Sequence, residues 1–294
     1  MSIVDDIKLQ LRSGDSIIRL IFLNIALFVV PYVTAAILAL FRVKFDFLSY
    51  VSLSSNPVDL LTKPWSLLSY AFFHAGFFHI LFNMIMLNFS GRLFLTFFTQ
   101  KHVVGLYLCA SLFAGVIYLL SYAFFPALQS SQVTMVGASG AVMAILIATA
   151  SYAPHMPLRL FLIGNVKLWH IAAVLLIIDL VQLPLNNTGG HLAHLGGAFF
   201  GYLFIAQLRR GNDIVGWMAR VVETVGNIFQ RRQKTPLRTV HRNPVKPQPR
   251  QTSRIVTKDR TQQQIDEILD KISKSGYDSL TREEKDFLFR AGRQ

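Results

Sequence analysis

Charge is nearly missing from the first two thirds of this chain. Residues 1–209 hold 11 Lys/Arg and 6 Asp/Glu, whereas residues 210–294 hold the other 28 of the 45 charged side chains. A surface that poor in charge cannot face water, so a soluble globular fold is excluded for the first part and its solvent is lipid. The charge-rich remainder is a soluble appendage. Cysteine is down to one, Cys109 in an apolar run, which excludes an intrachain disulfide and leaves the redox compartment unread. The N-terminus lacks the short basic–apolar–small pattern of a cleaved signal peptide, so the first span is expected to be retained.

What is present instead is long uncharged sequence. Leu20–Phe41, Pro64–Gly91, His102–Leu158 and Leu180–Leu208 contain no Asp, Glu, Lys or Arg. A spanning helix needs roughly 20 apolar residues. The 57 residues from His102 to Leu158 therefore make two spans, broken near Pro126 and the polar run Gln129–Gln132. The expected spans are 17–41, 73–95, 102–125, 135–153, 167–184 and 190–208, an all-α membrane bundle of six helices. Basic residues set the orientation. With the N-terminus inside, the inner segments carry Lys8, Arg12, Arg19, Arg92, Lys101, Arg159 and Lys167, and the basic tail is inside as well. Loops near 126–134 and 185–190, on the outside, have no basic residue. The first outer loop, 43–72, is rich in Phe, Leu, Val and Tyr and is expected to lie in the interface, either as a plain hairpin or with a role.

Polar side chains inside spans are costly, and here they share one depth. Spans 2, 4 and 6 all run from outside to inside. Near their outer ends they carry His74, His79 and Asn83; Ser139 within Gly137-Ala138-Ser139-Gly140; and His191 and His194. A serine hydroxyl is a weak nucleophile until a base accepts its proton, and histidine is the usual base near neutral pH. Acyl transfer also needs donors aimed at the developing oxyanion. His79 and Asn83, four apart, share a helix face, and the Ser139 N–H in the first turn of span 4 has no obligatory intrahelical acceptor. Gly137 and Gly140 flank Ser139, and Gly197 and Gly201 form a Gly-x-x-x-Gly face below His194; small residues at that spacing let membrane helices pack closely. Each signal alone has a blander reading, as helix packing or as a satisfied structural histidine. Their common depth is what points to a site.

These residues resemble the rhomboid intramembrane serine proteases. His74, His79 and Asn83 are similar to the family's second-helix motif, Gly137-Ala138-Ser139-Gly140 resembles its nucleophile motif, and Ala193-His194 with Gly197 and Gly201 resembles its sixth-helix motif. The resemblance covers roughly residues 15–209. It implies a Ser–His dyad, with Ser139 as nucleophile and His194 as general base and acid, no metal and no cofactor. It further implies that His79 and Asn83 help form the oxyanion hole and that His74 supports that region by hydrogen bonding. The chain departs from the family's pattern twice: Ser66 follows Trp65 where many members have Arg, and Met143 stands where many have an aromatic residue under the catalytic histidine. His191, one turn above His194, is the rival base. Asp179, in the outer half of span 5, could orient a histidine as a third triad member, but the family's dyad favours a structural role for it. A zinc protease is disfavoured because His-Glu-x-x-His is absent and the outer halves of spans 2, 4 and 6 hold no carboxylate.

The implied activity is cleavage of other proteins' transmembrane helices near their outer ends. The alternative is a catalytically silent scaffold of the same fold that binds such helices. A transporter lacks inverted-repeat or broken-helix signals. Residues 185–190 are expected to act as a lid above His194, with span 5 moving to admit substrate from lipid. The expected domains are a cytoplasmic segment 1–16, the rhomboid-like six-helix domain 17–209, a disordered basic linker 210–260 and a short helical tail 261–294. Residues 231–260 carry ten Lys/Arg, one acid and four prolines. They are expected to meet anionic lipid headgroups, and no nucleic-acid partner is expected. In the tail, Ile265, Ile268, Leu269 and Ile272 repeat at helical spacing, and Thr281-x-x-Glu284 is a capping box. A similar tail on some bacterial members implies a bacterial inner-membrane protein with both termini cytoplasmic.

Overall fold

The computed structural model describes residue 5 and residues 14–129, 132–160, 164–185, 187–229 and 260–291. Expectations resting on Lys8 and Arg12, on the middle of the 129–132 break, on Asn186 and on residues 230–259 of the basic linker lie outside these. The chain divides into two compact units, Met1–Arg231 and Arg232–Gln294.

The first unit is a bundle of α1 (Ser16–Leu40), α2 (Phe77–Leu95), α3 (Gln100–Phe124), α4 (Ser139–Tyr152), α5 (Leu168–Gln182), α6 (Thr188–Leu208) and α7 (Gly216–Phe229). α1, α2 and α3 are each long and apolar enough to cross a membrane. α1 begins where the Asp15 carboxylate accepts from the Ile18 N–H at 3.0 Å. α3 begins at a Thr99–His102 capping box, which satisfies two of the N–H groups every helix start leaves open. Large apolar side chains such as Val30, Val33, Phe78, Phe82, Ile177 and Val181 point outward. In water these would form adhesive patches; in lipid they face their natural solvent. The molecule is an integral membrane helical bundle.

Helices α4 and α5 are shorter than the spans read from the sequence. They have 14 and 15 residues, about 21–23 Å at 1.5 Å per residue, against a hydrocarbon core of about 30 Å. Met135 of the fourth expected span and Lys167 of the fifth lie instead in extended chain. Thr134–Met135 (β2) pairs antiparallel with Leu53–Ser54 (β1), and Pro157–Leu160 (β3) pairs with Gly164–Lys167 (β4). These two small sheets correct the all-α expectation. Pairing in β1–β2 also resolves the first outer loop, whose Leu53, Tyr70 and Ala71 are buried with Ala114, Tyr118, Met135 and Ala193. Tyr70 donates to the Ser111 carbonyl at 2.7 Å, and Tyr107 of α3 donates to that of Ala71 at 2.7 Å. Part of the loop thus packs on the bundle, while Tyr50, Val58, Leu61 and Trp65 remain exposed.

The expected linker also begins too early, because residues 216–229 are helical. Val215, Met218 and Ala219 are buried, and a Cβ on Gly105 of α3 would collide with the Val215 carbonyl. Lys101 pairs with Glu223 at 3.0 Å and His102 with Asp213 at 3.4 Å. Further contacts gather one end of the bundle: Arg92 with Asp15 at 3.2 Å, and Arg209 donating to the Ser151 carbonyl at 2.8 Å. Ser139 and His194 sit toward the opposite ends of α4 and α6.

The second unit contains α8 (Arg260–Ser275) and α9 (Arg282–Ala291), joined through Gly276 at φ 77°. Ile268 and Leu280 are buried, whereas Leu269 is exposed. Thr281 and Glu284 form the capping box, with the Thr281 N–H donating to Glu284 at 2.8 Å, and Lys271 pairs with Glu284 at 2.8 Å.

Candidate active site

The site is built where α4 and α6 touch. A Cβ on Gly197 would fall on the Gly140 carbonyl and one on Gly201 on the Ala144 carbonyl. Those two glycines let the helix backbones approach and bring α6 side chains over the start of α4. Ser139 is the first residue of α4, so its N–H has no partner a turn earlier. Its hydroxyl lies 2.6 Å from His194 Nε2. His191 turns its Nδ1 to Asp179 Oδ1 at 2.7 Å instead.

The approach to Ser139 is fixed from the loop between α1 and α2. Gly137 has φ 130°, a conformation L side chains rarely adopt, and donates to the Tyr70 carbonyl at 2.9 Å. A Cβ there would stand 2.7 Å from His79 Nε2, so the His79 ring occupies the space beside the turn that leads into Ser139. His74 is fully buried. Its Nε2 accepts from the Ala138 N–H at 3.4 Å, and its ring meets that of His79 edge-on at 5.0 Å. Asn83 donates to the His79 carbonyl at 2.8 Å, which leaves its second N–H for another acceptor.

Two cavities meet at Ser139. One, of about 220 Å³, is lined by His79, Asn83, Gly137, Ser139, Gly190 and His194 among others. The other, of about 270 Å³, lies between α2 and α5 and is lined by apolar residues including Phe82, Met86, Val142, Met143, Leu175 and Ile178. The first suits a polarised carbonyl and water, the second apolar side chains arriving from lipid. Met143 lies in the second cavity with His194. Ser66 is buried, while Trp65 is exposed and donates to the Tyr50 carbonyl at 2.8 Å.

Asp179, read from the sequence as structural or as a histidine's partner, contacts both site histidines. One carboxylate oxygen, Oδ1, lies 2.8 Å from His194 Nδ1 and 2.7 Å from His191 Nδ1. The donor atoms of Asp179, His191 and His194 lie within 4.8 Å of one another, a set able to hold a divalent cation. The carboxylate comes from α5, outside the three helices that carry His79, Ser139 and His194. The loop expected to act as a lid, residues 185–190, is helical in its second half. Thr188, Gly189 and Gly190 form the first turn of α6, where Gly189 packs so tightly on Tyr118 and Tyr122 that a Cβ would collide with them. Asn187, at φ 51°, makes the turn into α6.

Residues 61–211 match the rhomboid domain, and the chain belongs to the rhomboid family. Among curated proteins, it is similar to the RHOMBOID-like protein 12, mitochondrial, of Arabidopsis thaliana, at 30% identity over 157 residues. That match covers 50% of this chain and 47% of the relative, so the chain spans about half the length of the relative it matches. Residues 256–291 match a family of unknown function, DUF6576.

Proposed function

We propose that the protein is an intramembrane serine endopeptidase that cuts transmembrane helices of other membrane proteins near their outer ends. The observation that carries this reading is the 2.6 Å contact between Ser139 Oγ and His194 Nε2 at the floor of two cavities. In this reading Ser139 Oγ attacks the scissile carbonyl carbon and its proton passes to His194 Nε2. Negative charge gathers on the carbonyl oxygen, where the Ser139 N–H, His79 and Asn83 stabilise it. Collapse breaks the C–N bond, His194 gives its proton to the leaving amine, and water, activated by the same histidine, releases the acyl chain. His74 holds the nucleophile turn through Ala138.

Substrate enters sideways between α2 and α5. Only Leu168, Ala172 and Asp179 of α5 are buried, so few packed side chains hold it in place beside the apolar cavity. Backbone in an intact helix is hydrogen-bonded and out of reach, so the cut stretch must unwind; small or helix-breaking residues are expected there. All six helices α1–α6 cross the bilayer with both chain ends on the cytoplasmic side, and residues 231–260 meet anionic headgroups. A bacterial inner membrane is the proposed location.

Covalent labelling by a fluorophosphonate tests the chemistry without a known substrate. Wild type is expected to label, and Ser139→Ala and His194→Ala to remain unlabelled. A folded wild type that stays unlabelled beside an active control protease would favour the silent scaffold. Loss of labelling in His191→Ala but not in His194→Ala would transfer the base role to His191.

A further inference from the structure

The carboxylate on α5 is unlike anything else in the apolar half of that helix. Asp179 is 5% exposed, and a buried charge in lipid surroundings is expensive unless hydrogen-bonded. Leu, Ile or Val would pack α5 at lower cost. The charge is instead aimed at the site, with Oδ1 shared between the two imidazoles of α6 at 2.7 and 2.8 Å.

Resting on the protease reading above, we infer that Asp179 is a positioning residue that completes a Ser139–His194–Asp179 relay across three helices. An ionised carboxylate only accepts hydrogen bonds. His194 must therefore carry its proton on Nδ1 and leave a lone pair on Nε2, the atom 2.6 Å from Ser139 Oγ. The opposite tautomer would point a hydrogen at the nucleophile and could not act as a base. When His194 takes the Ser139 proton it becomes an imidazolium, and the adjacent carboxylate stabilises that charge while keeping none of the protons moved. His191, the second donor to Oδ1, holds the carboxylate in the orientation that His194 needs. The two rings stand perpendicular, 5.7 Å apart, so His191 serves Asp179 without entering the path from Ser139 to His194.

A merely structural Asp179 would pin α5 to α6 and do nothing more, and a small probe separates the two roles. A fluorophosphonate needs no α5 movement comparable to that required by a helix, so its limiting labelling rate reads the activated serine directly. Labelling of the full chain would be followed over a range of probe concentrations to split the limiting rate from apparent probe affinity. Asp179→Asn, whose amide can donate to His194 Nδ1 and favour the wrong tautomer, is expected to lower the limiting rate about 100-fold or more. Its probe affinity should stay within about threefold, and Asp179→Glu should recover part of the rate. Wild-type limiting rate in Asp179→Asn would overturn the inference while leaving the protease reading intact. Absence of labelling in wild type would instead sink that reading. Nitrogen-15 chemical shifts of His194 in the unaltered chain decide the matter even if the variants fail to fold. A Nδ1–H tautomer is expected near neutral pH, and a Nε2–H tautomer would refute the relay.

Discussion

In the proposed protease, Ser139 becomes a nucleophile through constraints on its neighbours. Gly137 shows how narrow they are: its backbone at φ 130° admits few residues, and the space a Cβ would take belongs to His79. Gly137→Ala is therefore expected to strain the turn and displace His79 together. Fluorophosphonate labelling should fall by at least about tenfold, as it would for loss of one oxyanion donor, while the protein still folds in detergent. Labelling at the wild-type rate would mean that His79 has no part in stabilising the reaction. Much of this was legible in the sequence. Ser139, His194, His79 and Asn83 shared a depth that three separate apolar helices had no packing reason to give them. Asp179 was legible only as one of two readings, a histidine's orienting partner or a structural residue, and the sequence favoured the second. α5 is apolar almost all round, so no polar stripe reveals which face turns toward α6, and the pairing exists only once the helices are rotated into place.

Among the helices, α4 and α6 show where spacing suffices. Gly197 and Gly201 predicted a close approach, and both meet α4 carbonyls. The β1–β2 pairing shows where spacing fails, because two-residue strands leave no periodic trace. α7 is a third case. Its sequence was averaged into a charged stretch, although Val215, Met218 and Ala219 form a buried stripe. Asp213 starts this helix, accepting from the Val215 and Gly216 N–H groups at 3.1 and 2.9 Å. Partial burial pushes its carboxyl up, but those two donors and His102 outweigh it and hold the group below the ordinary carboxylate range. A depressed carboxylate stabilises the fold above its unfolded value and loses that contribution as pH falls through its folded value. Asp213→Ala should accordingly cost about 1 kcal/mol near neutral pH, as loss of a cap does. The gap in thermal midpoint between variant and wild type should close once the pH is well below about 4. A gap that persists in acid would show that Asp213 acts by packing and not by its charge.

At the scale of the whole molecule, the boundary of the membrane unit carries a consequence for how the chain can be cut. Compositional averaging put that boundary at residue 209, and the packing of α7 moves it to about 231. A chain ending at residue 209 would strip Val215, Met218 and Ala219 from α3, uncover Gly105 and leave Lys101 and His102 without Glu223 and Asp213. Burial of a large apolar side chain is worth about 1.5–3 kcal/mol, so the lost contacts amount to several kcal/mol, a large share of a typical domain's stability. A chain ending at residue 231 keeps all of them and loses only the second unit, whose α8–α9 pairing through Lys271 and Glu284 is internal to it. Thermal unfolding in detergent should therefore separate the two truncations sharply, with the longer one within a few degrees of the full chain and the shorter one well below it. Fluorophosphonate labelling should survive in the longer form at close to the full-chain rate, because the groups around Ser139 all come from the first unit. Should the two truncations unfold together, α7 would be an ornament on the bundle. Should the longer one lose labelling, the second unit would have to act on the site, and the tail would be a regulator of the membrane domain.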